Sequence, residues 1–194
     1  MEPHFAAKDK FMFYKYLIKS NHYFEYGSGG STCKTALAPN IKSIYSVESD
    51  LEWHNKIKRE LKSIQNNKTI TLIYCEMDTQ PKSWGNPGPK SVIADWQNYS
   101  NQLSLLSNFE KQQIDLILID GRFRVACCLK CYDEIGDNCL IMFDDFLNRN
   151  KYHVILNHFD IIEKTIENRM VVLKKKKNES PSKKLIEHYE KIAD

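Results

Sequence analysis

The feature that most constrains the fold is a short strand that runs directly into a glycine turn and then into the start of a helix. The stretch reads Tyr23-Phe24-Glu25-Tyr26-Gly27-Ser28-Gly29-Gly30-Ser31-Thr32. Three glycines in four positions let the backbone turn sharply and let a ligand approach more closely than side chains would allow. Ser31 and Thr32 can cap the following helix, whose free amide groups face the same point. The stretch therefore predicts the first part of a nucleotide-binding βαβ unit.

Two acidic residues help to indicate which nucleotide cofactor such a unit would bind. Glu48 ends the next apolar run, 21 residues after Gly27, where an acid holds ribose hydroxyls. A dinucleotide fingerprint requires a third glycine where this chain has Thr32, and it has no use for the charge of Glu25 beside a pyrophosphate. S-adenosylmethionine carries an ammonium and a sulfonium, which a carboxylate favours. The residues favour S-adenosylmethionine over NAD, and a glycine turn without a ligand is the third alternative.

The stretch from Glu25 to Thr32 resembles the first motif of the class I S-adenosylmethionine-dependent methyltransferases. The resemblance, together with Glu48 and the acid after the fourth strand, implies a set of cofactor-binding residues: Glu25, Gly27, Ser28, Gly29, Gly30, Ser31, Thr32, Glu48 and Asp120.

Apolar runs alternate with amphipathic segments along most of the chain. This pattern predicts strands at 22–26, 43–48, 69–75, 114–120 and 139–143, and helices at 8–20, 31–38, 50–63, 123–135 and 151–158. Two further strands, 160–165 and 170–173, are joined by a turn around 167–169 and predict a hairpin. The expected fold is α/β and Rossmann-like: a mostly parallel seven-stranded sheet that ends in an antiparallel hairpin, with helices on both faces, as in methyltransferases.

Length and composition suggest one domain with a well-formed core. The 194 residues are 42% hydrophobic, which argues against disorder. We expect a single methyltransferase-like domain over 1–175. It contains an irregular insertion at 78–112 on the acceptor side, with a short helix at 95–106. A basic polar tail, expected to be solvated, follows at 176–194.

Charge and cysteine content limit the partners. From position 174 onward there are seven lysines against four acids, which leaves 21 charges of each sign in the body. Nucleic acid is therefore disfavoured as a substrate. We expect a soluble, cytoplasmic protein that acts on a small molecule, with no membrane partner and a homodimer as an alternative to the monomer. The cysteines are expected to be reduced and buried rather than zinc ligands.

Three carboxylates follow adjacent strands, Asp120 after the fourth and Asp144 with Asp145 after the fifth. Because ligands bind beyond the carboxyl ends of parallel strands, these acids should converge there. Their mutual repulsion would favour a cation such as Mg²⁺. The pattern resembles the metal site of the catechol and macrocin types of cation-dependent O-methyltransferases, which implies Asp120, Asp144 and Asp145 as metal ligands. Phe123 stands where the catechol type has a lysine base.

The expected activity is transfer of a methyl group from S-adenosylmethionine to a hydroxyl of a small molecule, with a sugar or nucleotide sugar as one class. In the metal-free alternative Asp145 alone orients or deprotonates the acceptor. The candidate proton acceptors are Asp145, Asp144 and His153, and the candidate substrate contacts are Arg122, Arg124, Trp84 and Trp96. The two arginines could instead pair with the acids. A binding module or inactive partner subunit is the alternative function, whereas the tetrad of nucleic-acid base methyltransferases is absent after the fourth strand.

Overall fold

The computed structural model describes residues 1–64, 67–166 and 169–193, and its centre is one seven-stranded sheet. The strands run in the order β3-β2-β1-β4-β5-β7-β6. Strands β1 to β5 pair in parallel, and β7 pairs antiparallel with both β5 and β6. The predicted sheet and closing hairpin are confirmed, although the turn around 167–169 lies mostly outside the described residues. The strands are β1 His22–Tyr26, β2 Ser43–Glu48, β3 Thr69–Tyr74, β4 Leu116–Ile119, β5 Leu140–Phe143, β6 Phe159–Lys164 and β7 Val171–Lys175.

Alternating side chains of the central strands face two separate apolar layers. In β4, Leu116 and Leu118 pack with α1 to α3, whereas Ile117 and Ile119 pack with the layer that contains α6. Such continuous apolar strands are typical of a parallel sheet buried on both faces. The helices are α1 Ala7–Leu17, α2 Gly30–Leu37, α3 Leu51–Lys62, α4 Ile93–Ser100, α5 Asn108–Gln113, α6 Arg124–Glu134 and α7 Lys183–Tyr189.

Local sequence signals explain where several helices begin. The Asp50 carboxylate accepts a hydrogen bond from the amide of Trp53 at the start of α3 (2.9 Å). At α5, the hydroxyl of Ser107 and the carboxylate of Glu110 form a capping box. The segment expected as a helix at 151–158 is a 3₁₀ helix, Asn150–Asn157.

The insertion between β3 and β4 contains more regular structure than the sequence predicted. The expected helix at 95–106 is divided into α4 and a short 3₁₀ turn, Leu103–Leu105, and α5 follows. Residues 78–91 form a loop that is closed on itself, since Gly88 donates its amide to the carbonyl of Asp78 (2.7 Å).

The basic tail, expected to be solvated, packs on the core along one face of α7, while many of its other described residues are exposed. Helix α7 lies against α6, and Leu185, Ile186 and Tyr189 are half-buried against the core. Glu190 is buried, pairs with Lys130 of α6 and accepts a hydrogen bond from a side-chain amide of α4 (3.0 Å). Apolar residues at helical spacing fix the tail despite its lysines.

Two other expectations concern cysteines and membranes. All six cysteines are buried and free of disulfides, as predicted. Among the described helices none has the length and apolar character needed to cross a membrane.

Candidate functional site

The glycine turn, Glu48 and the strand-end acids meet at one edge of the sheet, where the parallel strands end. The backbone amides of Gly27, Asp120 and Asp144 each donate to a carbonyl of the neighbouring strand over 2.9 to 3.1 Å, so these three residues extend the ladder side by side. Glu48 is the last residue of β2, which pairs with β1. This edge is where an open α/β sheet binds its ligands.

The glycine turn is shaped by contact with the loop after β4. Gly27 has a φ of +97°, and a Cβ there would lie 2.7 Å from the amide nitrogen of Gly121. A side chain at either position would therefore push the two loops apart. Gly29 differs, because a Cβ there would meet no heavy atom within 4 Å. The space above Gly29 is the part of the turn that a ligand can enter.

Glu25 is fully buried behind the turn and is surrounded by hydroxyl groups. Its carboxylate accepts hydrogen bonds from the hydroxyls of Tyr23 (2.8 Å), Ser31 (2.7 Å), Ser46 (2.7 Å) and Thr32. Burial raises the pKa of Glu25, and the hydroxyl donors oppose that rise. The carboxylate joins β1, β2 and the start of α2. Its predicted role toward the cofactor stays a prediction.

Glu48 occupies the position expected for a ribose-binding acid. Its Oε1 accepts hydrogen bonds from the amides of Ser49 (2.7 Å) and Asp50 (2.9 Å), and the residue is buried. Burial raises its pKa to about 7, against an ordinary value of 4.5. Next to it, Trp53 of α3 donates its indole N–H to the carbonyl of Ser28 (2.7 Å), which ties the glycine turn to α3.

Replacing Glu48 with glutamine should stabilise the ligand-free protein at pH 8 and not at pH 4.5. The folded pKa lies above the unfolded one, so the native state holds more protons in this window and the wild type loses stability as the pH rises from about 4.5 to 7. The difference should reach up to about 3 kcal/mol, since one pKa unit equals about 1.4 kcal/mol. Urea unfolding of the variant and the wild type at pH 4.5 and pH 8 measures this stability difference. An equal difference at both pH values would contradict the raised pKa of Glu48.

Two segments cover this edge. The turn of the 78–91 loop lies over Glu48, because a Cβ on Gly85 would be 3.8 Å from Glu48 Oε1. Arg122 holds this turn by donating to the carbonyl of Trp84 (3.0 Å) and the side chain of Asn86 (2.8 Å). The N-terminal residues lie across the start of α2, so closely that a Cβ on Gly30 would overlap the backbone there. A ring contact of 5.4 Å between His4 and Trp84 joins the two covering segments.

The three strand-end acids are paired with arginines. Arg124 is buried, and its guanidinium lies 3.2 Å from Asp120 Oδ1 and 3.4 Å from Asp145 Oδ2. Asp145 also pairs with Arg149 (2.8 Å) and with Arg169 (3.0 Å). Asp145 has a φ of +59°, a strained conformation for a residue that is not glycine. These ion pairs hold the strained turn in place.

Asp144 is the least compensated of the three acids. Its Oδ2 lies 3.7 Å from Arg169, whereas its buried Oδ1 has no hydrogen-bond partner among the described residues. Burial, followed by the negative charges of Asp120 and Asp145, raises the pKa of Asp144 to about 8. A carboxyl group with such a pKa can exchange a proton with a ligand near neutral pH.

The donor set does not fit the predicted Mg²⁺ site. Among the residues that the structure describes, no group of three or more His, Cys, Asp or Glu side chains is arranged to hold a metal ion. The three carboxylates lie within ion-pair distance of the guanidiniums of Arg124, Arg149 and Arg169. A hard cation would have to displace these arginines, so the residues present do not fit a metal site.

The predicted substrate contacts do not converge on one wall. Arg122 and Trp84 hold the covering loop, whereas Arg124 belongs to the acid cluster, as the ion-pair alternative predicted. Trp96 stacks on Phe123 with ring centres 5.4 Å apart and packs against the core.

Three further residues lie near the strand-end acids: His153, Arg149 and Arg169. His153 donates its Nε2–H to the carbonyl of Phe146 (3.1 Å), so that nitrogen is not available as a base. Sequence reasoning missed Arg149 and Arg169. The spacing of Arg149 four residues after Asp145 was a usable signal, but no local pattern indicates Arg169.

Comparison with known proteins supports the fold. No family model and no curated protein sequence matches the chain. Its structure is similar to that of a methyltransferase-like protein from Silicibacter pomeroyi, with a TM-score of 0.81, 24% identity and coverage of 95% of this chain and 93% of that one.

Two more distant structures are also named as methyltransferases. One is the SAH-bound methyltransferase PaMTH1 of Podospora anserina, with a TM-score of 0.59, 14% identity and coverage of 87% and 78%. The other is a ribosomal protein L11 methylase from Lactobacillus delbrueckii, with a TM-score of 0.55, 16% identity and coverage of 87% and 77%. The chain therefore has a Rossmann-like methyltransferase fold, as predicted.

Proposed function

We propose that the protein is an S-adenosylmethionine-dependent methyltransferase that transfers a methyl group to a hydroxyl of a small molecule. The observation that carries the proposal is the open space above Gly29, on the same sheet edge as Glu48. The glycine turn can receive the amino-acid end of the cofactor, and Glu48 can accept hydrogen bonds from its ribose. The SAH-bound state of the Podospora relative supports this cofactor over NAD.

The strand-end acids supply the chemistry. A sulfonium methyl is already a good electrophile, so the protein must align oxygen, carbon and sulfur and remove one proton. The acceptor oxygen forms a bond to the methyl carbon while the carbon–sulfur bond breaks, which leaves a neutral thioether. The hydroxyl proton passes to Asp144, whose Oδ1 has no partner among the described residues. Asp145 is a positioning residue, because its oxygens hold Arg149 and Arg169.

Calorimetric titration with S-adenosylhomocysteine and, separately, with NAD tests the proposal. We expect S-adenosylhomocysteine to bind and NAD to give no heat above dilution. Gly29→Val should weaken binding at least about tenfold, or about 1.4 kcal/mol, without a change in the thermal unfolding midpoint, because the new side chain enters only the ligand space. Gly136→Ala, a glycine replacement in a different part of the fold, is the matched control. Binding of NAD alone would refute the proposal.

A binding module without turnover remains the second candidate, because one observation favours it. Asp145, the first predicted proton acceptor, lies within ion-pair distance of three arginines. The rate of methyl transfer is compared between the wild type and Asp144→Asn, with an acceptor that the wild type methylates. If the two rates are equal, Asp144 is not the proton acceptor. If S-adenosylhomocysteine binds but no hydroxyl acceptor is methylated, the binding module is the better description.

A further inference from the structure

Three buried polar atoms without a hydrogen-bond partner lie together beside the end of β5. They are Asp144 Oδ1, Asp145 Oδ1 and Arg169 Nε, and none of them has a partner among the described residues. The three side chains are adjacent, because the guanidinium of Arg169 lies 3.0 Å from Asp145 Oδ1 and 3.7 Å from Asp144 Oδ2. Buried polar groups without partners destabilise a protein and are rare. Their concentration at the ligand-binding edge of the sheet indicates that a ligand supplies the missing partners.

The guanidinium of Arg169 is held by charge and not by hydrogen bonds. Its contact with Asp145 Oδ1 is an ion pair without hydrogen-bond geometry, since that oxygen has no hydrogen-bond partner in the described part of the chain. Its contact with Asp144 is too long for a hydrogen bond. The side chain is 38% exposed. Because a guanidinium carries five N–H donors in a planar fork, Arg169 can offer donors to an anionic group that approaches from solvent.

Arg149 contacts the same carboxylate and shows the contrast. It donates to Asp145 Oδ2 (2.8 Å) and to the hydroxyl of Tyr152 (2.9 Å), and its side chain is 35% exposed. The two arginines therefore have similar exposure and one common ion-pair partner. They differ in that the protein itself uses the donors of Arg149 on both sides of its guanidinium. This difference favours Arg169 as the arginine that a ligand would contact.

Arg169 lies on the same sheet edge as the glycine turn and directly beside Asp144. Its backbone is fixed there, because its carbonyl accepts hydrogen bonds from the amides of Phe146 (2.8 Å) and Leu147 (3.1 Å). Gly27 and Asp144 extend β1 and β5, with β4 between them. Two strand spacings correspond to about 10 Å. A molecule bound to Arg169 is thus next to the proposed proton acceptor and faces the site of the methyl donor.

We infer that Arg169 determines the specificity for the acceptor, by binding a carboxylate or phosphate that the acceptor carries beside the hydroxyl to be methylated. The planar fork of a guanidinium matches the oxygens of both kinds of group. The inference rests on the proposed methyltransferase function and narrows its substrate to anionic hydroxyl compounds, such as hydroxy acids or phosphorylated polyols. It also explains why Asp145 holds an arginine at this point.

The anionic group also prepares Asp144 for the hydroxyl. Asp144 Oδ1 is buried in the ligand-free protein, so a hydroxyl reaches it only when a neighbouring side chain moves. Arg169 is a partly exposed neighbour whose contacts with both acids are ion pairs. An anion that binds its guanidinium draws it away from Asp144, and the hydroxyl of the same molecule then takes its place beside the carboxyl group.

Protein-observed NMR titration tests the inference, with S-adenosylhomocysteine present at saturation. The probes are glycerate, glycerol 1-phosphate and the neutral glycerol, which share a three-carbon skeleton with hydroxyls. We expect the anionic probes to shift the amide resonances of Phe146 and Leu147, which contact the backbone of Arg169. At least one of them should bind about tenfold or more tightly than glycerol, the effect of a hydrogen bond to a charged group. The tighter of the two identifies the anionic group as carboxylate or phosphate.

Three variants make the test specific. Arg169→Met should weaken binding of the preferred anionic probe at least about tenfold and leave glycerol binding unchanged. Arg149→Met removes the same charge from the same carboxylate, and should weaken the anionic probe by about twofold at most, as for a screened charge several ångströms away. Arg169→Lys keeps the charge without the fork and should have an intermediate effect. Binding of S-adenosylhomocysteine by each variant shows that it is folded.

The outcomes separate the inference from the proposed function. If S-adenosylhomocysteine binds but glycerol binds as tightly as the anionic probes, the inference is overturned while the methyltransferase proposal stands. The same holds if the preference for the anion persists in Arg169→Met. If the anionic probes bind through Arg169 but S-adenosylhomocysteine does not bind, the acceptor role of Arg169 is overturned together with the proposed function. Inorganic phosphate that binds as tightly as glycerol 1-phosphate would show an anion site that ignores the hydroxyl, which also overturns the inference.

Discussion

Replacing Arg124 with methionine should destabilise the protein at pH 7 by about 3 to 5 kcal/mol, the usual effect of removing one partner from a buried ion pair. Arg124 is 5% exposed at its side chain. Besides its two ion pairs, its guanidinium donates to the carbonyls of Gly121 (2.9 Å) and Asp144 (2.7 Å). Without it, Asp120 would lose this guanidinium while Asp145 keeps its other two arginines. The carbonyls that accept from Arg124 at this edge, that of Asp120 included, would also lose this donor.

Urea unfolding at pH 7 and pH 4 measures this effect, with Arg149→Met as the control. Arg149 pairs with the same Asp145 but is 35% exposed, so water can replace it and the loss should be about 1 kcal/mol or less. Because burial raises the pKa of Asp120, its protonation at low pH removes the uncompensated charge, so the difference between Arg124→Met and the wild type should shrink at pH 4. A loss below about 1 kcal/mol at pH 7 would contradict the structural role of Arg124.

Most of the sheet could be predicted from the sequence because its signals are local. Strands β1 and β2 have the predicted bounds, 22–26 and 43–48. Each is a short apolar run that ends at a turn, and buried parallel strands require such a run. The shared edge of Gly27, Asp120 and Asp144 followed from topology alone, since parallel strands end on the same side.

The site chemistry was harder to predict because it depends on contacts between distant parts of the chain. Arg169 reaches Asp145 only because the closing hairpin brings β7 beside β5. The tail was expected to be solvated because of its lysines, but Leu185 and Tyr189 pack against the core. The sequence identified the acids and left open whether a cation or arginines would pair with them. In the structure, arginines lie within ion-pair distance of the acids.

Replacing Glu25 with alanine should destabilise the protein by at least about 3 kcal/mol, because four buried hydroxyl donors would lose their acceptor. Each unsatisfied buried group costs about 1 to 3 kcal/mol, although water entering the space would offset part of the sum. Thr35→Val on the same helix as two of these donors is the matched control. Its buried Oγ1 has no hydrogen-bond partner among the described residues, so removing that hydroxyl should leave stability unchanged or raise it. Thermal and urea unfolding at pH 7 compare the two variants.

The substitution Glu25→Gln separates the charge of Glu25 from its hydrogen bonds. With its amide oxygen at the position of Oε2, the new side chain would still accept from the hydroxyls of Tyr23 and Ser31, but the negative charge behind the glycine turn would be lost. S-adenosylmethionine carries a sulfonium that S-adenosylhomocysteine lacks. If the charge acts on the cofactor through the turn, Glu25→Gln should weaken S-adenosylmethionine binding about fivefold more than S-adenosylhomocysteine binding, as for a charge interaction of about 1 kcal/mol. The two ligands are distinguished here by the sulfonium charge. If Glu25→Gln weakens the binding of both equally, Glu25 stabilises the glycine turn and its charge does not act on the cofactor.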